Sequence, residues 1–146
     1  MTHDALRLAT PEGFSAVAID GVPANARIAL RCNASAATTA FGIGLRGKGK
    51  YESAVELRIE PFQKRVSWRS AEQSTLIATP LSTLDQVQGL NGPITLELIS
   101  KDDLFDVEIN GCRTAIHRAE TMGNRLFLFA IGGQVTFDKL EIRPLR

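Results

Sequence analysis

The 146-residue chain is poor in the residues that most easily betray a function. It has two cysteines, two histidines, one tryptophan and one tyrosine. Two cysteines, Cys32 and Cys112, allow one disulfide at most, and no C-x-x-C occurs. With His3 and His117 alone there is no metal constellation, so no metal or cofactor is expected. An excess of one charge is missing too: 17 basic and 16 acidic residues leave +1. That balance supplies no electrostatic footprint for nucleic acid, and no run of like charge suggests a membrane patch. No apolar run approaches the ~18 residues of a membrane span. The opening "MTHDALRLATPEG" has no basic segment followed by an apolar core, so it does not read as a secretion signal. Whether the chain is cytoplasmic or one piece of a longer secreted protein stays open.

What is present is alternation. Phe41, Ile43 and Leu45 alternate with Gly42, Gly44 and Arg46, and Val55, Leu57 and Ile59 with Glu56, Arg58 and Glu60. Ile94, Leu96 and Leu98 follow, then Phe105, Val107 and Ile109 against Asp106, Glu108 and Asn110. Successive side chains on a strand point to opposite faces, so each run has a core face and a polar face. "RLFLFAI" (125–131) is apolar on both parities and predicts a central strand covered on both sides. "QVTFDKLEIRPL" changes phase between Phe137 and Leu140, which predicts a bulge near Asp138. Turn signals separate the runs, among them Asn110-Gly111, a strong two-residue hairpin signal, and Gly132-Gly133. "LSTLDQVQGL" (81–90) supports a turn or so of helix and no more. Ten to twelve strands in one domain of this size predict an all-β fold, a two-sheet antiparallel β-sandwich of jelly-roll or concanavalin-like type over 1–146.

The stretch "FGIGLRGKGKYES" imitates a phosphate cradle, since Gly42, Gly44 and Gly47 fit G-x-G-x-x-G and Gly42 to Lys48 fits G-x-x-x-x-G-K. Phosphate loops work because a strand delivers the chain to a helix N-terminus. Here another strand follows, and Gly49 stands where magnesium binding needs Ser or Thr. A hairpin with a glycine-lined outer face explains the pattern better. His117 has no nucleophile motif beside it, and G-x-S-x-G is absent. Asn33-Ala34-Ser35 is a glycosylation triplet of the kind that is frequent by chance.

One ordered set of landmarks carries a family resemblance. "AFGIGLRG…YESAVELRIEPFQKRVSWR" (40–69) reads as strand, turn, long strand ending in a Glu-Pro corner, and returning strand. "ITLELISKDDLFDVEINGCRTAIHRA" (94–119) and "RLFLFAIGGQVTFDKLEIRPL" (125–145) complete it. Together these resemble the C-terminal β-sandwich of glycoside hydrolase family 32, the β-fructosidases, and the related fructan-binding modules of carbohydrate-binding module family 66. Asp102 or Asp103 would be the family's turn aspartate, and "FDVEINGCR" stands where that family has a strand like "VEVFVNDGR". Asp106 replaces the usual glutamate and Cys112 enters the hairpin, which are departures from the pattern.

The resemblance implies an accessory domain. Family 32 enzymes do their chemistry in a separate propeller, marked by Asn-Asp-Pro, Arg-Asp-Pro and Glu-Cys motifs, and none occurs here. Retaining hydrolysis needs two carboxylates ~5 Å apart across the sugar, and no pair is marked out. The expected partners are a fructan or other carbohydrate, with a catalytic propeller domain as a further candidate, and no nucleic acid and no membrane. The alternative is a structural or oligomerisation sandwich without a ligand. If a sugar binds, the candidate ligand residues are Arg58, Glu60, Asp106 and Glu108, with Arg69 and Arg113 as outer candidates. Carboxylates and guanidinium groups form paired hydrogen bonds with vicinal hydroxyls. Trp68, beside Arg69, is a candidate sugar platform, while its parity with Val66 favours the core; Cys32 is expected as a buried thiol. Since the charged residues lie on polar faces, substituting Arg58 or Asp106 should cost binding and leave stability nearly unchanged.

Overall fold

The computed structural model describes residues 2–49, 51, 54–70, 80–118 and 123–145. Eleven antiparallel strands make up the described chain: β1 (Thr2–His3), β2 (Leu6–Ile19), β3 (Ala26–Ala34), β4 (Ala40–Gly47), β5 (Val55–Glu60), β6 (Arg65–Ser70), β7 (Pro80–Leu84), β8 (Ile94–Lys101), β9 (Leu104–Ile109), β10 (Cys112–Arg118) and β11 (Arg125–Pro144). No α-helix occurs among the described residues. The helical turn expected within 81–90 is replaced by edge strand β7 and a run of bends, because pairing with β6 claims the backbone of 80–84.

β11 makes two layers out of one path. Its first half, to Ile131, pairs with β4, and its second half, from Val135, pairs with β3. One layer is therefore β10-β9-β8-β3-β11 and the other β11-β4-β5-β6-β7, with β2 along the free side of β11 in both. Gly132-Gly133, expected as a turn between strands, lies instead inside β11 at the crossing point. Gly133 has φ 117° and comes so near Thr38 that a Cβ would sit 2.6 Å from its Cα. Only glycine lets a strand bend there. The bulge near Asp138 is present: register slips between Asp138 and Glu141, around Lys139 at φ 52°. Asn110 (φ 53°) and Gly111 (φ 80°) close the β9–β10 hairpin as a left-handed pair.

The layers close face to face on the apolar parity of each strand. Ile28, Leu96, Leu98, Phe105, Val107, Phe137 and Ile142 come from the first layer, and Phe41, Ile43, Leu57, Ile59, Trp68 and Leu128 from the second. Each such side chain contributes about 1.5–3 kcal/mol of burial. Trp68 is in this core, its ring stacked on Phe105 at 5.6 Å across the two layers. Cys32 is a buried free thiol and Cys112 an exposed one. Arg46 departs from the alternation. At φ 55° it turns between the layers, its guanidinium 4.8 Å from the Phe105 ring centroid and donating to Ala24 O and Ser100 Oγ, both at 2.9 Å.

Candidate functional site

The outer face of the second layer is not the solvated surface that its charges suggested. Gly42 and Gly44 on β4 leave a trough beside Phe127 and Phe129 of β11, and Tyr51 lies in it. Ala40, Tyr51, Ala54, Phe127, Phe129 and Ile131, with Phe14 of β2, form a second small core on that face. β11 between 126 and 131 is thus covered on both sides, as its double apolar parity predicted.

Beside these rings lies a chain of charges. Glu56 is fully buried and Arg58 is 5% exposed. Arg58 donates to Glu56 through Nε and through Nη2, the latter at 3.1 Å, and the Tyr51 hydroxyl donates to the same carboxylate. Burial pushes the Tyr51 phenol up, helped by the Glu56 charge, so it stays a donor. The Arg58 guanidinium also lies 5.8 Å from the Phe129 ring centroid. On β6 the neighbouring Arg69 bonds Ser67 Oγ at 2.9 Å and Glu60 at 3.3 Å. Exposure rises along the series, to 10% and 12% for the side chains of Arg69 and Glu60. The Glu60–Arg69 end is therefore the least enclosed part of the network, although burial there still pushes the Arg69 guanidinium down.

Of the six candidate residues, Arg58, Glu60 and Arg69 come together on this face. Asp106, Glu108 and Arg113 do not join them. Asp106 and Glu108 are on β9 in the first layer, on the side opposite its buried Phe105, Val107 and Ile109. Glu108 stands across from Glu97 of β8 on one side and Arg113 of β10 on the other. The Arg113 and His117 side chains lie outside the described residues. Asp102 and Asp103 form the β8–β9 turn, where the family landmark put an aspartate. This face carries exposed ion pairs, including Arg27–Glu97 at 3.0 Å and the doubly bonded Arg31–Asp138 at 2.9 and 2.6 Å. Around Ala29 it forms a shallow dish of about 180 Å³ rimmed by Arg27, Glu97, Glu141 and Arg143. Pairs of this kind on a solvated face each contribute about 0–1 kcal/mol. Among the described residues no group of three His, Cys, Asp or Glu side chains could hold a metal ion.

Phe62 was missed by sequence reasoning. It is the most exposed large apolar side chain among the described residues, at 70%, and sits on the β5–β6 turn directly after Glu60-Pro61. The signal was the Glu-Pro corner itself, which stops β5 and turns the next side chain outward.

The backbone superposes on carbohydrate binding module CBM66 from Bacillus subtilis with a TM-score of 0.75, over 98% of this chain and 94% of that one, at 10% identity. The two share a fold. A fructosyltransferase from A. japonicus gives 0.76 at 10% identity, and this chain covers 26% of its length. Galectin LEC-6 of Caenorhabditis elegans gives 0.66 at 17% identity, with 94% and 95% covered. No family model and no curated protein matches the sequence. The two-sheet antiparallel sandwich expected from the alternation is the fold observed.

Proposed function

We propose that the chain is a carbohydrate-recognition sandwich without catalysis of its own, serving as a fructan-binding module or as the supporting domain of a β-fructosidase. The observation that carries the reading is the Glu60–Arg69 pair. A guanidinium and a carboxylate are held in fixed geometry at a sheet surface, Arg69 pinned by Ser67 and flanked by the Glu56–Arg58 ion pair on the adjoining strand. Groups already ordered lose little entropy when a sugar hydroxyl replaces water, which favours recognition by a few contacts. Carboxylate oxygens accept from vicinal hydroxyls, and the guanidinium donates to hydroxyl and ring oxygens. The fold shared with CBM66 and the sequence landmarks point to the same ligand class.

Affinity should be weak, roughly −4 to −7 kcal/mol, or ~10 µM to millimolar. Calorimetric titration with levan and inulin oligosaccharides tests this. Glu60→Ala and Arg69→Ala should each cost ~1–3 kcal/mol of binding, while Asp106→Ala and Glu108→Ala leave it unchanged. The converse pattern would move the site to the first layer, and no heat with any fructan would leave a structural sandwich. Sucrose, inulin and levan incubated with the chain should release no free fructose. Turnover that survives repurification would overturn the non-catalytic reading.

A further inference from the structure

Beyond the turn that follows Glu60, the end of the sandwich holds a cavity of about 280 Å³. Its walls come from the β3–β4 loop (Ser35), the β5–β6 turn (Pro61, Phe62, Lys64) and the segment before β8 (Leu90, Asn91). We infer that this cavity is a second sugar subsite, in which Phe62 is the platform for the apolar face of one saccharide unit and Ser35, Lys64 and Asn91 bind its hydroxyls.

Three observations support it. The walls are tied by hydrogen bonds. The β5–β6 turn is closed by bonds from Gln63 N to Glu60 O and Lys64 N to Pro61 O, each 3.2 Å, and Lys64 O accepts from Val87 N at 2.8 Å. The β3–β4 loop is held by Ser35 N to Gln134 O at 2.8 Å and Ser35 Oγ to Thr38 Oγ1 at 2.9 Å. Phe62 is also held out of both cores by this turn, so its ring contributes little to packing and is available to a ligand. The chemistry of the lining is selective as well. One aromatic ring, apolar Pro61 and Leu90, a hydroxyl, an amide and a single ammonium suit a neutral polyol, and the cavity has room for one unit rather than a chain. Pro61 in its wall directly follows Glu60 along the chain. The inference rests on the carbohydrate reading and extends the same site.

Nuclear magnetic resonance titration of the ¹⁵N-labelled chain with short fructo-oligosaccharides separates the two. Shifts are expected at the amides of Ser35, Phe62, Lys64 and Asn91 together with Glu60 and Arg69. Phe62→Ala should weaken binding about tenfold with the spectrum otherwise folded, and Phe62→Tyr should bind as the parent does. Shifts confined to Glu60 and Arg69, with Phe62→Ala binding normally, would overturn this subsite and leave the proposed function standing. Shifts confined to the end cavity and lost in Phe62→Ala would support the subsite and remove the sheet-face site. No shift at any amide would overturn both.

Discussion

Arg58→Ala is the substitution for which sequence and structure give opposite expectations. From alternation alone Arg58 sits on a solvated face, where truncation costs binding and spares stability. In the fold its guanidinium is 5% exposed and pairs with Glu56, which has no exposed surface at all. Truncation would leave the Glu56 carboxylate buried with the Tyr51 hydroxyl as its remaining donor among the bonds described above. Removing one partner of a buried ion pair costs about 3–5 kcal/mol, because the stranded charge keeps its desolvation penalty. For a chain of this length each kcal/mol shifts Tm by roughly 2–4 °C, so Tm should fall by about 10 °C. Urea unfolding followed by intrinsic fluorescence of Trp68 measures the loss directly. A triple variant, Tyr51→Phe with Glu56→Leu and Arg58→Met, removes the buried ion pair and the hydroxyl bonded to it and should be more stable than Arg58→Ala. If Arg58→Ala unfolds within ~1 kcal/mol of the parent, the pair is not desolvated and the reasoning fails. The same magnitude makes Arg58→Ala a poor binding probe, and Glu60, the most exposed carboxylate of the network, serves better.

Cys112 should react promptly with an aromatic disulfide reagent in the native state, whereas buried Cys32, its thiol pushed up by desolvation, should react only on unfolding; two fast equivalents would contradict its burial. Gly42→Ala should destabilise by ~1–3 kcal/mol or more, since a Cβ would sit 2.0 Å from the Leu57 carbonyl oxygen, and a thermal melt matching the parent would refute that contact. The hydrogen bonds from Arg31 hold the Asp138 carboxyl below its ordinary value. Its contribution is therefore present above the unfolded carboxylate pKa of about 4 and disappears as pH falls through the lower folded value. Urea midpoints between pH 2 and 6 should fall less steeply for Asp138→Asn than for the parent, and parallel acid limbs would count against the pairing.

The legible part of this protein is whatever a period of two can express. Alternation assigns a face to every strand, and it placed Trp68 in the core because burial on one parity has a single solution in a two-layer fold, while apolar residues on both parities marked "RLFLFAI" as a covered central strand. It cannot say which layer a strand joins, and there the candidate site divided. Glu60 and Asp106 both fall on the polar parity of an alternating run, yet one lies on β5 and the other on β9, in different layers, because β11 changes layer at Gly132-Gly133. Nor can it distinguish a polar face that meets water from one roofed by other side chains. Glu56 and Arg58 are closed off where Tyr51 lies in the trough left by Gly42 and Gly44, a contact set by loop placement and not by spacing along β5. The same glycines that imitate a phosphate loop thus act by what they omit. Without side chains on that parity, β4 admits the rings of Tyr51, Phe127 and Phe129 against it, and those rings shield the ion pair whose neighbour, Glu60–Arg69, reaches the surface. Glu60–Arg69 keeps its place at the outer end of the network because the inner end, Glu56–Arg58, is packed out of water.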